Sequence, residues 1–491
     1  MRPRIVLAAL VSLAASIPAC TDRPPTVAPT TATAGATTPA TTAPPAATTE
    51  PLEMHLQGAI VVMGQRLPFA VWLHREGGGA KGLLQIPAQG ARDLALSDIV
   101  IDDEHLAFAM TAINAAWNVT IDDEGDLDAC SFTQGGHTFE CELAPVTEAA
   151  YVAFSKPARP QTPKAPFPYD AIDVRVPNPA AGIELAGTLT VPAGDGPFPA
   201  VVLATGSGAQ DRDETLFDHK PFLVIADHFA RHGIATLRLD DRGVGGSGGD
   251  PKVATTDDFV GDALAAVEFV RTQARIDPKR VGVAGHSEGG IIAPVAAARD
   301  PKIAFVIMIA GPGVPGSEVL TRQVERLLRA GGKSDAEVRH AVEQERKILA
   351  VVAREMDATR QREELRTLMA SEPGIDPKMV DAQVEGLMTP WFRHFIRFDP
   401  RPDLRKVRVP LLALSGTLDL QVDTDQNLPE IGKTLKKAGN RKVELVRLEG
   451  LNHLMQHAKT GELAEYGTIE ETVAPEVLER MTAFITAQRG R

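Results

Sequence analysis

Between Ile172 and Gln488, short apolar runs alternate with amphipathic stretches, and this rhythm restricts the possible folds more than any other feature of the chain. Ile172–Val176 and Glu184–Val191 read as an opening strand pair. They are followed by strand Ala200–Ala204, helix Phe217–His232, strand Ile234–Leu239, helix Thr256–Gln273, strand Arg280–Ala284, helix Gly289–Ala298 and strand Ile303–Ile309. After a long insertion the pattern resumes with strand Val409–Leu414, helix Leu428–Lys437, strand Val443–Leu448 and helix Ala474–Gln488. Parallel strands need crossover connections, and helical crossovers cover the sheet. The expected fold class is therefore α/β, with a mostly parallel sheet and helices on both faces. In such sheets the active site lies beyond the carboxyl ends of the strands.

The 491 residues leave room for more than this domain, assigned here to 170–491. At the N-terminus, Arg2 and Arg4 precede an apolar run from Ile5 to Ile17, too short to span a membrane, so residues 1–19 read as an export signal. Ile17-Pro18-Ala19-Cys20 resembles the lipobox of bacterial lipoproteins, with Pro18 standing where a small residue is usual. The resemblance implies cleavage before Cys20, lipidation of Cys20, and a protein anchored at the bacterial cell envelope, in the periplasm or at the cell surface, without crossing the membrane. From Thr21 to Glu50, 25 of 30 residues are Thr, Ala or Pro, so residues 20–50 read as a disordered tether.

Residues 51–150 carry short alternating runs, Leu67–His74, Gly82–Ile86, His105–Met110, Ala116–Ile121, Ser131–Thr133 and Thr138–Leu143, expected to form a small antiparallel β domain. Gln134-Gly135-Gly136-His137 reads as a two-residue hairpin turn. In that register Cys130 lies opposite Cys141, within disulfide reach, and a bridge is expected in an exported protein; two buried free thiols are the alternative. The domain offers no catalytic constellation. Pro157, Pro160, Pro163, Pro166 and Pro168 mark residues 151–169 as a linker. Three cysteines are too few for a disulfide scaffold or a cysteine-rich zinc protein, and no metal or cofactor is expected. A net charge of −13 argues against nucleic acid or an anionic membrane surface as the main partner.

Two glycine-rich runs invite a chemical reading. Gly243-Val244-Gly245-Gly246-Ser247-Gly248-Gly249 fits both a dinucleotide fingerprint and a G-x-S-x-G pattern, but no helix opens directly after it, so neither reading has its context. Gly285-His286-Ser287-Glu288-Gly289 has that context, because a strand runs into it and a helix starts after it. Small residues two before and two after Ser287 allow a strained turn that presents the hydroxyl at a helix N-terminus. The Glu288 N–H is there a candidate oxyanion donor, with a second expected from Ser207 in Thr205-Gly206-Ser207-Gly208.

A serine hydroxyl needs a base held by an acid. Among twelve histidines, His453 lies in the loop after the last strand, and Asp419 lies just past the strand ending at Leu414. The order Ser287, Asp419, His453 is that of an α/β-hydrolase triad. Asp423 and Asp425 are rival acids and His457 a rival base.

From about Ala171 to Gln488 the chain resembles an α/β-hydrolase. Asp240-Asp241-Arg242-Gly243-Val244-Gly245-Gly246-Ser247 is similar to a structural loop of that superfamily. Gly206-Ser207-Gly208-Ala209-Gln210-Asp211-Arg212-Asp213, Leu420-Gln421-Val422 and Leu451-Asn452-His453-Leu454 resemble the EstD-type serine esterases, which also carry an N-terminal β domain. The resemblance implies metal-free hydrolysis of short-chain acyl esters, a small-molecule substrate class. Thr205 stands where wider relatives often have histidine.

Residues 314–407 read as an inserted helical cap, with a Leu320, Val324, Leu327, Leu328 stripe and a Ser334/Glu337 capping box for a helix through Met356. Trp391, Phe392, Phe395 and Phe398 either line an acyl pocket or form cap core. The expected function is a serine carboxylesterase working through an acyl-enzyme. The alternatives are an aminopeptidase-like serine peptidase, an acyltransferase on the same triad, and an anchored binding protein with an inactive hydrolase fold. Serine at the elbow disfavours an aspartate-nucleophile dehalogenase or epoxide hydrolase.

Overall fold

The computed structural model describes residues 51–62, 65–77, 79–87, 91–134, 137–156, 158–371 and 377–488. The export segment, Cys20, the tether and the hairpin residues Gly135 and Gly136 lie outside them. The described residues divide into two units, at residue 156/157.

The first unit is a nine-stranded antiparallel sheet of β1 (Leu52–Val62), β2 (Gln65–Glu76), β3 (Gly79–Ile86), β4 (Ala91–Ala95), β5 (Ser97–Ile101), β6 (His105–Met110), β7 (Ala115–Ile121), β8 (Leu127–Gln134) and β9 (His137–Pro145). Their spatial order is β4-β3-β2-β1-β9-β8-β7-β6-β5. The outermost strands β4 and β5 are consecutive in sequence, so the sheet curls like a barrel. Alternate residues Phe69, Val71 and Leu73 are fully buried, and Trp117 packs between the rings of Phe108 and Phe132 at 5.2 and 4.6 Å. Cys130 pairs with Cys141 across β8 and β9, with Cα atoms 5.1 Å apart and the sulfurs bonded. A helix over Glu148–Ser155, capped by Thr147, crosses the expected boundary at 150/151. Its Tyr151 hydroxyl accepts from Gln85 of β3, so the helix belongs with the β unit and the linker starts after it.

The second unit holds an eight-stranded sheet of β10 (Asp170–Asn178), β11 (Ile183–Val191), β12 (Phe198–Ala204), β13 (Ala235–Leu239), β14 (Ile276–His286), β15 (Val306–Ile309), β16 (Leu411–Gly416) and β17 (Val443–Leu448). The order is β10-β11-β13-β12-β14-β15-β16-β17, parallel from β13 to β17, with β10 and β11 antiparallel at one edge. The mostly parallel, two-faced sheet expected from the strand–helix rhythm is thus present. Helices Thr256–Arg271 and Gly289–Arg299 cover one face through Val260, Val267, Ile292 and Val295, while Pro221–Arg231 and Pro475–Ala487 cover the other through Phe222, Phe229, Met481 and Phe484.

Several boundaries differ from expectation: the strand expected over Arg280–Ala284 spans Ile276–His286, that over Val409–Leu414 spans Leu411–Gly416, and the helix expected from Leu428 starts at Thr424. The helix expected from Phe217 starts at Pro221, because Phe217 and Asp218 take φ of +52° and +63° in a turn closed by backbone bonds between Leu216 and His219. Proline at the first helical position loses no hydrogen bond there. Strand β15 begins at Val306 rather than Ile303.

Between β15 and β16 the chain forms helices Gly316–Ala330, Asp335–Ala353, Ala358–Ala370, Pro377–Leu387, Pro390–Arg397 and Arg401–Leu404. Ser334 and Glu337 form a capping box, and the helix they open stops at Ala353, short of Met356. That helix buries Glu345, 2% exposed, whose Oε2 meets no donor among the described residues. Burial pushes this carboxyl from an ordinary value of 4.5 up to about 7. The folded protein therefore holds the proton more tightly than the unfolded chain, and stability falls as pH rises from about 4.5 to about 7. A difference of this size corresponds to about 3 kcal/mol at most. Glu345→Gln is expected to remove that slope, so urea unfolding should show the variant gaining on the wild type above pH ~7 and not near pH ~4.5.

Candidate active site

Strand β14 ends at His286 and the next residue, Ser287, takes φ of +52°, a left-handed conformation that a non-glycine residue adopts only under constraint. The turn is possible because its neighbours are glycines. A Cβ on Gly285 would lie 2.0 Å from the Gly289 carbonyl oxygen, and one on Gly289 would lie 2.1 Å from that of Ala204. The Ser287 N–H is tied to the Ile309 carbonyl at 2.9 Å, at the end of β15. Helix Gly289–Arg299 starts two residues later, and Ser287 is half-buried while its neighbours on both sides are buried.

Two further loops leave the same sheet edge. After β16, Asp419 Oδ1 accepts the N–H groups of Gln421 and Val422 at 2.9 and 2.8 Å, which leaves Oδ2 to accept from His453 Nδ1 at 2.8 Å. After β17, Asn452 shapes the His453 loop by accepting from the Leu454 and Gln456 N–H groups. The loops are joined where Leu418 N–H meets the Leu451 carbonyl at 2.9 Å. Asp419 and His453 are 1% and 4% exposed, so their bond is shielded from water. No hydrogen bond joins the Ser287 hydroxyl to His453 among the described residues; in hydrolases this contact often tightens only with substrate.

The rivals are engaged elsewhere. Asp423 caps helix Thr424–Lys437 through Gln426 N–H and faces Arg322 and Arg326 of the cap. Asp425 bonds Arg447, and the exposed His457 lies between Glu471 and Glu476.

The loop after β12 is held by two carboxylates, the buried Glu214 and the half-buried Asp241. Thr205 Oγ1 and Gln210 N–H donate to Asp241 at 2.7 and 2.9 Å, and Gly206 N–H donates to Glu214 at 2.6 Å. Burial pushes Asp241 well above the usual carboxylate range, its two donors pull the other way, and Glu214 and Glu288 add to the rise. Among the described residues no protein acceptor meets the N–H of Ser207 or of Glu288, the two amides singled out as oxyanion donors. His286 turns into the interior, with Nδ1 3.0 Å from Glu214 and Nε2 donating to the His453 carbonyl at 2.9 Å. Burial opposes a charge on this ring, but Glu214, the His453 carbonyl and Asp419 together outweigh it and hold His286 above its ordinary value.

The family described as serine aminopeptidase, S33, matches residues 220–459. Esterase EstD of Thermotoga maritima is 34% identical over 274 residues, which cover 55% of this chain and 58% of that protein. The chain has the α/β-hydrolase fold. A thiohydrolase of Aspergillus aculeatus is 32% identical over 132 residues, 26% of this chain and 38% of that one. The chain thus spans little more than half of the first of these relatives and less of the second. Among solved structures, an esterase of Pyrococcus furiosus superposes with a TM-score of 0.41 at 15% identity, covering 66% of this chain and 92% of that one.

Within this fold the glycine-rich loop after β13 is architectural. Ser247 Oγ donates to the Asp240 carbonyl at 2.7 Å and accepts from Ala186 N–H at 2.8 Å, and Arg242 forks onto Asp262. Phe392 and Phe395 are buried in the cap core, whereas the Trp391 indole stacks on Phe395 and donates to Glu288. Sequence reasoning missed Glu214, which lies one residue beyond the run Gly206–Asp213, and the whole environment of the Glu288 side chain. Among the described residues no group of three His, Cys, Asp or Glu side chains is arranged to hold a metal ion.

Proposed function

We propose that the chain is a serine carboxylesterase that cleaves short-chain acyl esters through an acyl-enzyme on Ser287. The observation that carries this reading is the buried Asp419–His453 pair on the sheet edge where the Ser287 elbow ends β14. With Nδ1–H donated to Asp419, the His453 Nε2 lone pair faces away as a base. In this reading Nε2 takes the Ser287 proton as Oγ attacks the ester carbonyl. The oxyanion is held by the N–H groups of Ser207 and Glu288. His453 then protonates the departing alcohol, and water, deprotonated by the same ring, releases the acid and regenerates Ser287. The signal at 1–19, lipidation at Cys20 and the tether at 20–50 belong to the same proposal, as an anchor at the cell envelope.

The matched S33 family, described by an aminopeptidase activity, favours one second reading, peptide hydrolysis on the same triad. It requires an accessible anionic group to hold a substrate amine, whereas Asp241 and Glu288 already accept from neighbouring protein groups and Glu214, bonded through Oε1, is 1% exposed. The test is a panel of p-nitrophenyl esters of graded acyl length beside aminoacyl p-nitroanilides, with fluorophosphonate labelling mapped by mass spectrometry. We expect the label on Ser287 and fastest turnover with acetyl to butyryl esters. Anilide turnover exceeding ester turnover would replace the esterase by the peptidase, and no label would end both.

A further inference from the structure

We propose that His286 and Glu214 form a positioning pair that holds the loop of the base His453 and the oxyanion loop at one fixed spacing behind the nucleophile. The inference rests on the serine-hydrolase reading above and adds to it two buried residues that touch no substrate. His286 is the last residue of β14 and is 6% exposed, while Glu214, in the loop after β12, is 1% exposed. Glu214 Oε1 accepts from the Gly206 N–H at 2.6 Å and lies 3.0 Å from His286 Nδ1. The other ring nitrogen, Nε2, lies 2.9 Å from the His453 carbonyl oxygen. One unbroken chain of hydrogen bonds thus runs from the residue before Ser207, through a carboxylate and an imidazole, to the main chain of the base.

The acceptors decide where the ring protons sit. A carbonyl oxygen can only accept, so Nε2 donates to His453. Oε1 already accepts from Gly206, so Nδ1 donates as well, and a ring that donates from both nitrogens is an imidazolium. Its bonds are charge-assisted, which makes them roughly twice as strong as neutral ones. Glu214 itself takes φ of +53°, with its N–H donating to the Asp211 carbonyl at 2.9 Å and the next N–H, of Thr215, donating to Asp211 Oδ1 at 3.0 Å. Strain of this kind at a non-glycine residue persists only where its surroundings over-determine it. A Cβ on Gly206 would lie 3.1 Å from Glu214 Oε1 and 3.3 Å from Ser287 Cβ, so Gly206 is packed between the carboxylate and the nucleophile.

A donor to the oxyanion and a general base both act only if they are fixed before charge develops, and a misplacement of about 1 Å can cost ~100-fold in rate. Asp419 fixes the ring of His453, and His286 fixes its main chain. Gly206, whose peptide leads into the Ser207 N–H, is fixed by Glu214. A purely space-filling role for His286 would not require an acceptor at each ring nitrogen, nor a buried carboxylate whose bonds all pass through one oxygen.

The test compares Glu214→Ala, Glu214→Gln, His286→Asn and the double variant E214A/H286N in the full chain, with Ser287→Ala as reference. Readouts are KM and kcat for p-nitrophenyl acetate, the latter per fluorophosphonate-labelled serine so that unfolded protein drops out, and inhibition by a trifluoromethyl ketone that forms an oxyanion on the serine. Glu214→Ala and His286→Asn are each expected to lower kcat by about tenfold to a hundredfold with KM within about threefold, and to weaken the ketone by a similar factor. Glu214→Gln should recover most of the loss. Among the described residues Oε2 meets no donor, so an amide NH₂ can stand there while the oxygen still accepts from Gly206 and His286. The double variant should stay within about threefold of the slower single variant, because both changes break the same chain of bonds. Removing one member of a buried pair leaves the other uncompensated; where Glu214→Ala does not fold, His286→Asn carries the test, since its amide replaces Nδ1 but falls short of the His453 carbonyl. The proposal is overturned if His286→Asn keeps kcat and ketone affinity within twofold of wild type, or if the double variant shows multiplied losses. If Ser287→Ala still turns over, the serine-hydrolase reading falls and takes this one with it. An inactive Ser287→Ala beside unaffected His286 and Glu214 variants overturns this proposal alone.

Discussion

Ser287→Ala is expected to lower kcat for an acetyl ester by a factor on the order of 10⁴ to 10⁶ while leaving the unfolding midpoint nearly unchanged. The two halves of this expectation have different physical sources. The loss in rate is large because a nucleophile and its base act as a unit, and without the hydroxyl His453 has no proton to take. What remains is catalysis by the oxyanion donors acting on water. The small effect on stability follows from what the variant keeps. The Ser287 N–H bond to Ile309 and the tight approaches of Gly285 and Gly289 belong to the backbone, which alanine retains. The deleted hydroxyl belongs to a half-buried residue, so no packed cavity opens in the core. Steady-state turnover of p-nitrophenyl acetate beside a thermal melt checks both halves. A variant that keeps more than about a hundredth of wild-type turnover without loss of fold removes Ser287 from the nucleophile's role.

The elbow was readable from sequence because everything it needs is contiguous: a buried strand, two glycines that permit the close approach, and a helix that begins at once. Asp419 and His453 were readable for a related reason, since each follows a strand end and parallel strands deliver their ends to one edge. The interior of the site was hidden. Glu214 and His286 are 72 residues apart in the chain, and Glu288 and Trp391 are 103 apart. A lone glutamate in a loop carries no local sign of the partner it will meet, because the crossovers of the sheet set that pairing. The same holds for the edge of the β unit. β4 and β5 are five residues each, with no residue fully buried, so the alternation that reveals β2 or β6 is too weak in them to read. Helix Pro221–Arg231 shows the opposite failure, where the segment from Phe217 reads as helix but the left-handed pair Phe217 and Asp218 holds its first residues out of it.

Asp419→Asn is expected to lower kcat by about 10⁴-fold, while Asp423→Asn costs less than about tenfold. An asparagine at 419 has one acceptor oxygen, and two backbone N–H groups already claim the position of Oδ1. If the oxygen stays with Gln421 and Val422, the side-chain NH₂ faces His453 Nδ1. Two donors cannot meet, so the imidazole takes the tautomer with its proton on Nε2, and the nitrogen that should accept the serine proton is already occupied. If the amide flips instead, the oxygen serves His453 but the NH₂ opposes two buried N–H groups, and the turn that carries residue 419 is destabilised. The first route removes the base with the fold intact, and the second keeps the tautomer but loosens the turn that holds it in place. Asp423 is 2% exposed like its neighbour, but its partners are a helix N-terminus and two cap arginines, so its neutral variant still caps through Oδ1 and loses mainly the attraction of Arg322 and Arg326. The comparison is sharp because the two carboxylates are four residues apart on one loop, both buried, and differ chiefly in whether a histidine faces them. Single-turnover acylation measured for both variants decides between them, and a larger loss in Asp423→Asn would transfer the acid's role to Asp423.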